Sequence, residues 1–383
     1  MYSLQFDSGR SSTARQKFVS QSRFGSLDGL RALSILAVIW HHTAPTSVGE
    51  SLAHFGTRGV TLFFAISGFL ITTLLLRERD RKGRIDLRAF YVRRSLRILP
   101  LYFGVLLIYI AVVWALERHT EAGENFFINL KYFATYTSNL FVPLEDRTIF
   151  YFAWSLASEE QYYLIWPPIL VWMGTLRRAV PSLALLAAAC LMASCTESHA
   201  LSLIPLAMVA GTLLALTFHT DRGFKIAYFC FGNAWTPLAL AVALGITLIC
   251  LTKFDVLTEV LCAALVGACV IREDHVLSRL LSLRALTYIG SISYGMYMLH
   301  MLCKSVSVKL LTIGNLPTDS VLVFVLTACL AVLAATVSFY TYEAYFMSFK
   351  HRTDKRLANA ACDANASFQG SALERSPLEA LPR

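Results

Sequence analysis

Two sets of residues in this chain can do chemistry in oily surroundings. One is Arg31 with the His41-His42 pair, in the stretch LDGLRALSILAVIWHH (Leu27–His42); the other is Arg93, Arg94 and Arg97 in FYVRRSLRILPLY. An imidazole, with a reference pKa near 6.5, takes a proton from a hydroxyl at neutral pH or acts as a nucleophile itself. A guanidinium fork matches the oxygens of a phosphate. On a helix turning about 100° per residue, the eleven steps from Arg31 to His42 come to roughly 1100°, about 20° off whole turns. The two therefore share a face, about 16 Å apart along the axis at ~1.5 Å per residue, and His41 points about 80° away. A charged group at mid-bilayer costs roughly 2.5 kcal/mol or more, so such residues are retained where they face a protein interior or a wet cavity. The plainer alternative is a His pair marking a helix end at the headgroups. Asp28, three residues before Arg31, is placed to cap the helix start and to pair with that arginine, the alternative partner being an anion. Arg94 and Arg97 are neighbours at i,i+3, and Arg93 and Arg97 at i,i+4. Anchoring to lipid phosphates is the competing role, and it accounts well for the basic residues from Arg77 to Arg88.

The elements that must position these groups are apolar helices. The chain has 383 residues, 56% of them hydrophobic, and a mean hydropathy of +0.55. The excess lies in blocks long enough to cross a hydrocarbon core near ~30 Å. The expected fold is all-α: a polytopic transmembrane helical bundle of about ten spans with both termini cytoplasmic. The spans are read at 28–45, 59–76, 98–116, 154–176, 179–194, 201–218, 233–252, 256–271, 287–304 and 320–341. Residues 1–24 are expected to be a disordered cytoplasmic segment, 25–345 the membrane domain, and 346–383 a polar cytoplasmic tail. The aromatic stretch KYFATYTSNLF is expected to lie in a loop that dips into the interface. Of the 34 lysines and arginines, seven fall in the loops opposite the termini, and this bias sets the orientation. The net charge of +9 follows from those inner loops and does not point to nucleic acid. The nine cysteines form no C-x-x-C pair, so neither a metal site nor a disulfide framework is expected. The first apolar block lacks an A-x-A cleavage pattern and reads as a retained span. No internal repeat of the transporter kind is visible.

Five blocks occur in an order that resembles the acyltransferase-3 family of integral membrane O-acyltransferases: LDGLRALSILAVIWHH, GVTLFFAISGFLIT, FYVRRSLRILPLY, WSLASEEQYYLIWP and GSISYGMYMLH. The resemblance implies transfer of a short acyl group, acetyl or similar, to a hydroxyl of a carbohydrate or glycolipid. The donor would be acyl-CoA, used as a substrate with no permanently bound cofactor. The family's Arg, ten residues, His pattern selects Arg31 and His42, not His41. The resemblance makes His42 the general base or acyl carrier and gives Glu159 a catalytic role. Arg31, Arg93, Arg94 and Arg97 would take the donor. Ser67, Trp154, Glu160 and His300 would contact the acceptor, with packing or membrane-interface roles as alternatives. Glu159 and Glu160 are expected at the outer end of their span, where Glu159 would orient His42 or bind the sugar. His300, about 18 Å up its span from Tyr288 at ~1.5 Å per residue, is expected level with His42. Departures from the pattern are Thr61, where relatives carry an acid; His199, where an arginine is usual; and Glu343-Ala-Tyr345 for Glu-x-Pro. The hydrolase-like domain that follows the bundle in some relatives is expected to be absent. The implied setting is the inner membrane of a bacterium, with membrane lipids as further partners and no nucleic acid. The rival reading is a polytopic transporter or glycan exporter.

Overall fold

In a computed structural model the protein is described over residues 8–21, 23–48, 56–143, 148–174, 205–250 and 255–349. The described residues form helices and no strand. In order they are α1 (Ser8–Ser20), α2 (Gly25–Thr43), α3 (Thr57–Lys82), α4 (Leu87–Leu116), α5 (Glu121–Ala134), α6 (Ser138–Phe141) and α7 (Ala153–Met173). There follow α8 (Leu206–Phe218), α9 (Asp221–Phe231), α10 (Thr236–Cys250), α11 (Asp255–Ile271), α12 (Ser278–Leu281), α13 (Arg284–Ser291), α14 (Ser293–Ile313) and α15 (Val321–Ser338). Among the described residues, four helices are long and apolar enough to cross a membrane: α3, α4, α14, and α15 with its continuation to Phe349. Counting α9 and α10, bent by 68°, as one broken span brings the number to five. The expected span at 179–194 lies outside the described residues, as do the start of the next one and His199.

The ends of the long helices follow local chemistry. Asp86 accepts from the backbone N–H of Ala89 and caps α4, and Gly83, at φ +70°, closes α3 in the left-handed conformation that needs no Cβ. Arg79, Arg81 and Lys82 fill the last turn of α3, where the helix dipole favours cations. Asp28 is in the first turn of α2, but the residue before that helix is Phe24, which makes no side-chain cap. Ser67-Gly68 permits close approach of two helices. A Cβ on Gly68 would stand 2.0 Å from the carbonyl oxygen of Met208, and one on Gly211 would stand 2.2 Å from that of Ala65. The backbones of α3 and α8 therefore pack directly against each other.

Three elements differ from the sequence expectation. Residues 8–20, expected to be disordered, form α1. Its Phe18 is 2% exposed and packs with Phe24, Phe218 and Phe224. Arg77 lies over the rings of Phe18 and Phe24 and donates to the carbonyls of Phe18 and Gln21 at 2.6 Å each. One buried ring and one guanidinium outweigh a polar composition. The stretch after α4, expected to be a loop, is helix α5, which returns along α4. Tyr102 Oη donates to the Phe133 carbonyl at 2.8 Å, and Tyr136 stacks on Tyr102 at 4.2 Å. The span expected at 287–304 is broken at Ile292 into α13 and α14, and α14 runs on to Ile313. The break lets α13 lie against the start of α2, where a Cβ on Gly290 would meet the Asp28 carbonyl.

The buried side chains form two clusters. One surrounds α3, α7, α8 and α11; the other joins the outer half of α2 to α4, α5, α14 and α15. Residues of both clusters line the cavity described next.

Candidate active site

A cavity of about 180 Å³ is bounded by α2, α3, α4, α7 and α14, and its charged lining is Arg31, Arg94, Arg97 and Glu159. A second cavity, of about 580 Å³, shares Arg31, Arg97 and Tyr294 with it and adds Arg23, Asp28 and Glu343. The two arginines thus stand at the waist between them. Neither Arg31 nor Arg97 makes a hydrogen bond or ion pair with a described residue. Asp28, one of the two partners considered for Arg31 beside an anion, is instead held by Arg23 Nε at 2.7 Å. Arg23 precedes the helix and reaches back freely, whereas Arg31 points into the bundle.

Glu159 is the one counter-charge in the smaller cavity. Its Oε1 accepts from Ser67 Oγ at 2.6 Å, from Tyr163 Oη, and from Arg94 Nη2 at 3.4 Å. The Arg94 guanidinium carbon lies 3.8 Å over the Tyr163 ring. This places Glu159 at the level of Arg94 and not at the outer end of α7. The correction follows from direction: α7 starts beside Tyr109 and Tyr297, by way of Phe152, and Leu164 accepts from Tyr91. Glu159 is therefore part way down towards the basic end of α4.

His42 lies elsewhere. Its Nδ1 is 2.9 Å from Tyr151 Oη, and its ring centroid is 5.1 Å from that of His300. Glu159 is not among its partners. His300 is fully buried, with Nδ1 at 2.5 Å from the Tyr297 carbonyl oxygen. The two histidines expected at one level are thus in contact, and His42 is turned inward against Tyr151 and His300. His42 lines neither cavity. Between it and the cavity stand Tyr297 and Ser155, whose hydroxyls are 2.6 Å apart, with Tyr297 Oη also donating to the Phe152 carbonyl at 2.9 Å.

Of the other expected site residues, Ser67 lines the cavity. Arg93 does not; it turns to Glu78 at 3.1 Å, which also pairs with Lys82. Trp154 packs its ring on Phe64 and lines neither cavity. Glu160 is also off the cavity, with Oε1 buried and unpartnered. From the sequence Tyr163 reads as a ring that could stack on a sugar or belong to an aromatic belt; Tyr151, Tyr294 and Tyr297 were missed. Tyr294 and Tyr297 sit inside a quoted block, but nothing in spacing alone separates a site tyrosine from a packed one.

The family model for an acyltransferase domain, of the acyltransferase-3 type, matches residues 24–342. The chain belongs to the acyltransferase-3 family. Among its curated relatives is the provisionally titled peptidoglycan O-acetyltransferase YrhL of Bacillus subtilis, 29% identical over an alignment of 362 residues that covers 83% of this chain and 54% of that protein. Peptidoglycan O-acetyltransferase OatA of Listeria monocytogenes is 29% identical over 320 residues, covering 72% of this chain and 48% of its own. A provisionally titled O-acetyltransferase of Staphylococcus aureus is 33% identical over 162 residues, 40% of this chain and 26% of its own. The chain spans about half the length of the first two relatives. No solved structure matches it. The acyltransferase-3 match takes in the whole lining of the smaller cavity together with His42 and His300, and leaves Arg23 and Glu343 of the larger cavity just outside its ends.

Proposed function

We propose that this chain is a membrane O-acyltransferase that moves a short acyl group from acyl-CoA to a carbohydrate hydroxyl. The observation that carries the reading is the pair of guanidiniums, Arg31 and Arg97, set without a hydrogen-bonded partner among the described residues at the junction of two cavities. With Arg94, three positive charges line the smaller cavity against the single carboxylate of Glu159. Such an excess in a low-dielectric site favours an anion. A donor bearing phosphates supplies one, and its thioester supplies the activated acyl group. The relatives' titles name peptidoglycan, which supports a sugar hydroxyl as the acceptor class.

In this mechanism the donor enters through the larger cavity. Its anionic groups meet Arg31 and Arg97, and Arg94 stays pinned between Tyr163 and Glu159. The thioester arm runs towards the Tyr297–Ser155 pair, beyond which lies His42. There His42 takes the proton of the attacking hydroxyl, a role worth typically 10²–10⁴-fold. The mechanism is framed in a ten-span bundle with both termini cytoplasmic, lying in the inner membrane of a bacterium. Donor entry is from the cytoplasm, and the acceptor is met from the opposite side.

The test is transfer of radiolabel from acetyl-CoA to peptidoglycan fragments by the purified full chain in vesicles, with His42→Ala and His41→Ala compared. Loss with His42→Ala and retention with His41→Ala is the expected result. Equal rates in the two variants, or no acetyl-CoA-dependent labelling by the wild type, would overturn the assignment.

A further inference from the structure

His300 carries an acceptor with nothing to accept. A carbonyl oxygen only accepts, so the contact with Tyr297 O puts the proton on Nδ1 of His300 and, in the neutral ring, leaves the lone pair on Nε2. That nitrogen is buried and has no partner among the described residues, in a side chain that is 0% exposed. Buried polar atoms in folded proteins are almost always paired, so an orphan of this kind calls for a donor that arrives later. The neighbouring ring able to bring one is His42, 5.1 Å away between centroids and tilted by 33°. The other rings around His300 are Phe152 and Tyr297, and the Tyr297 hydroxyl is already committed to Ser155 and the Phe152 carbonyl.

His42 presents the same nitrogen. Its one hydrogen bond among the described residues joins Nδ1 to Tyr151 Oη, and a phenol accepts as well as donates. When Nδ1–H is given to Tyr151, Nε2 of His42 also holds a lone pair. Two neutral imidazoles in contact, each with a lone pair on Nε2, make no bond to each other. Once one proton is added, an N–H···N bond becomes available between them.

We propose that His42 and His300 work as one base, with His300 a positioning residue that holds, through His42, the proton taken from the substrate. The inference rests on the acyl-transfer reading above. In the step, the acceptor hydroxyl gives its proton to Nε2 of His42 as its oxygen bonds to the acyl carbon. The carbon–sulfur bond breaks, and its electron pair leaves with sulfur. The proton, shared between the two Nε2 atoms, then passes to the thiolate and releases the free thiol of coenzyme A. Atoms and charge balance without a further reactant. The arrangement also gives a role to the Tyr297 carbonyl, which fixes the tautomer of His300 as backbone acceptors do for other working histidines.

The discriminating substitution is His300→Asn. Its amide can still donate to the Tyr297 carbonyl, but the Nε2 position is removed. The assay is labelled acetyl transfer by the full chain in vesicles, with kcat and the KM for acetyl-CoA measured separately and folding followed by thermal unfolding. The expected result is a kcat lowered about 100-fold with KM unchanged. The double variant His42→Ala/His300→Asn should be no slower than His42→Ala alone, because residues that act as a unit are not additive. Wild-type kcat in His300→Asn would overturn the proposal, and so would a further loss in the double variant. If His300→Asn unfolds, His300→Gln is read against the same two outcomes. Failure here while the wild type still transfers and His42→Ala does not leaves the acyltransfer reading intact. A wild type with no transfer removes both.

Discussion

Arg94 and Glu159 meet in the smaller cavity at 3.4 Å, with the ring of Tyr163 beneath the guanidinium and its hydroxyl on the same carboxylate oxygen as Ser67. The pair ties α4 to α7 and α3 on the wall of the smaller cavity. It also fixes the sign of that cavity, because Glu159 answers one arginine and leaves two unanswered.

Removing the carboxylate strands a mostly buried cation and two hydroxyl donors. Glu159→Ala is expected to lower stability by about 1–3 kcal/mol, and Glu159→Gln, which keeps an acceptor oxygen, by less. Thermal unfolding of the two purified variants in one detergent checks the order. Equal midpoints would mean that solvent replaces the carboxylate.

The arginines divide by partner. Arg31→Gln and Arg97→Gln should each weaken binding of coenzyme A about tenfold, which corresponds to ~1.4 kcal/mol. Arg93→Gln should leave it near the wild-type value, since Arg93 points to Glu78. Calorimetric titration of detergent-purified protein separates them. A loss with Arg93→Gln equal to that with Arg97→Gln would show that the donor is held outside the cavity.

Tyr151 meets His42 edge-on with its ring and hydrogen-bonds it through its hydroxyl, so Tyr151→Phe keeps the ring contact and removes the hydrogen bond. Loss of such an outer partner typically costs 10–100-fold in metal-bound histidines, and a fall in kcat of about 10-fold is expected here. The KM for acyl-CoA should not change, because Tyr151 is on the far side of Tyr297 from the arginines. Steady-state kinetics with labelled donor reads both values, and a changed KM with constant kcat would contradict the placement.

Gly68 has no room for a side chain. Gly68→Val would drive α3 off the Met208 backbone, at about 1–3 kcal/mol or more for overpacking. Gly245→Ala, inside a helix where a Cβ meets nothing within 4 Å, is the control and should unfold at or above the wild-type midpoint.

What the sequence by itself determined was periodic or local. The hydropathy blocks reported helices, because burying backbone amides in lipid leaves few alternatives. The helical angle joined Arg31 to His42 and set His41 aside, since side-chain direction along one helix follows from residue count. The quoted blocks carried the family. Relations between elements were decided only by the tertiary structure. Whether Asp28 takes Arg31 or Arg23, whether Glu159 faces His42 or Arg94, and whether Arg93 lines a cavity or turns to Glu78 all depend on the offset and rotation of one helix against another. That offset is set by close contacts such as Gly68 on Met208 and Gly290 on Asp28, which no count along a single helix contains. The contact between His42 and His300, 258 positions apart in the chain, belongs to the same class. It exists because α2 and α14 pack side by side, and the sequence supplied only their levels.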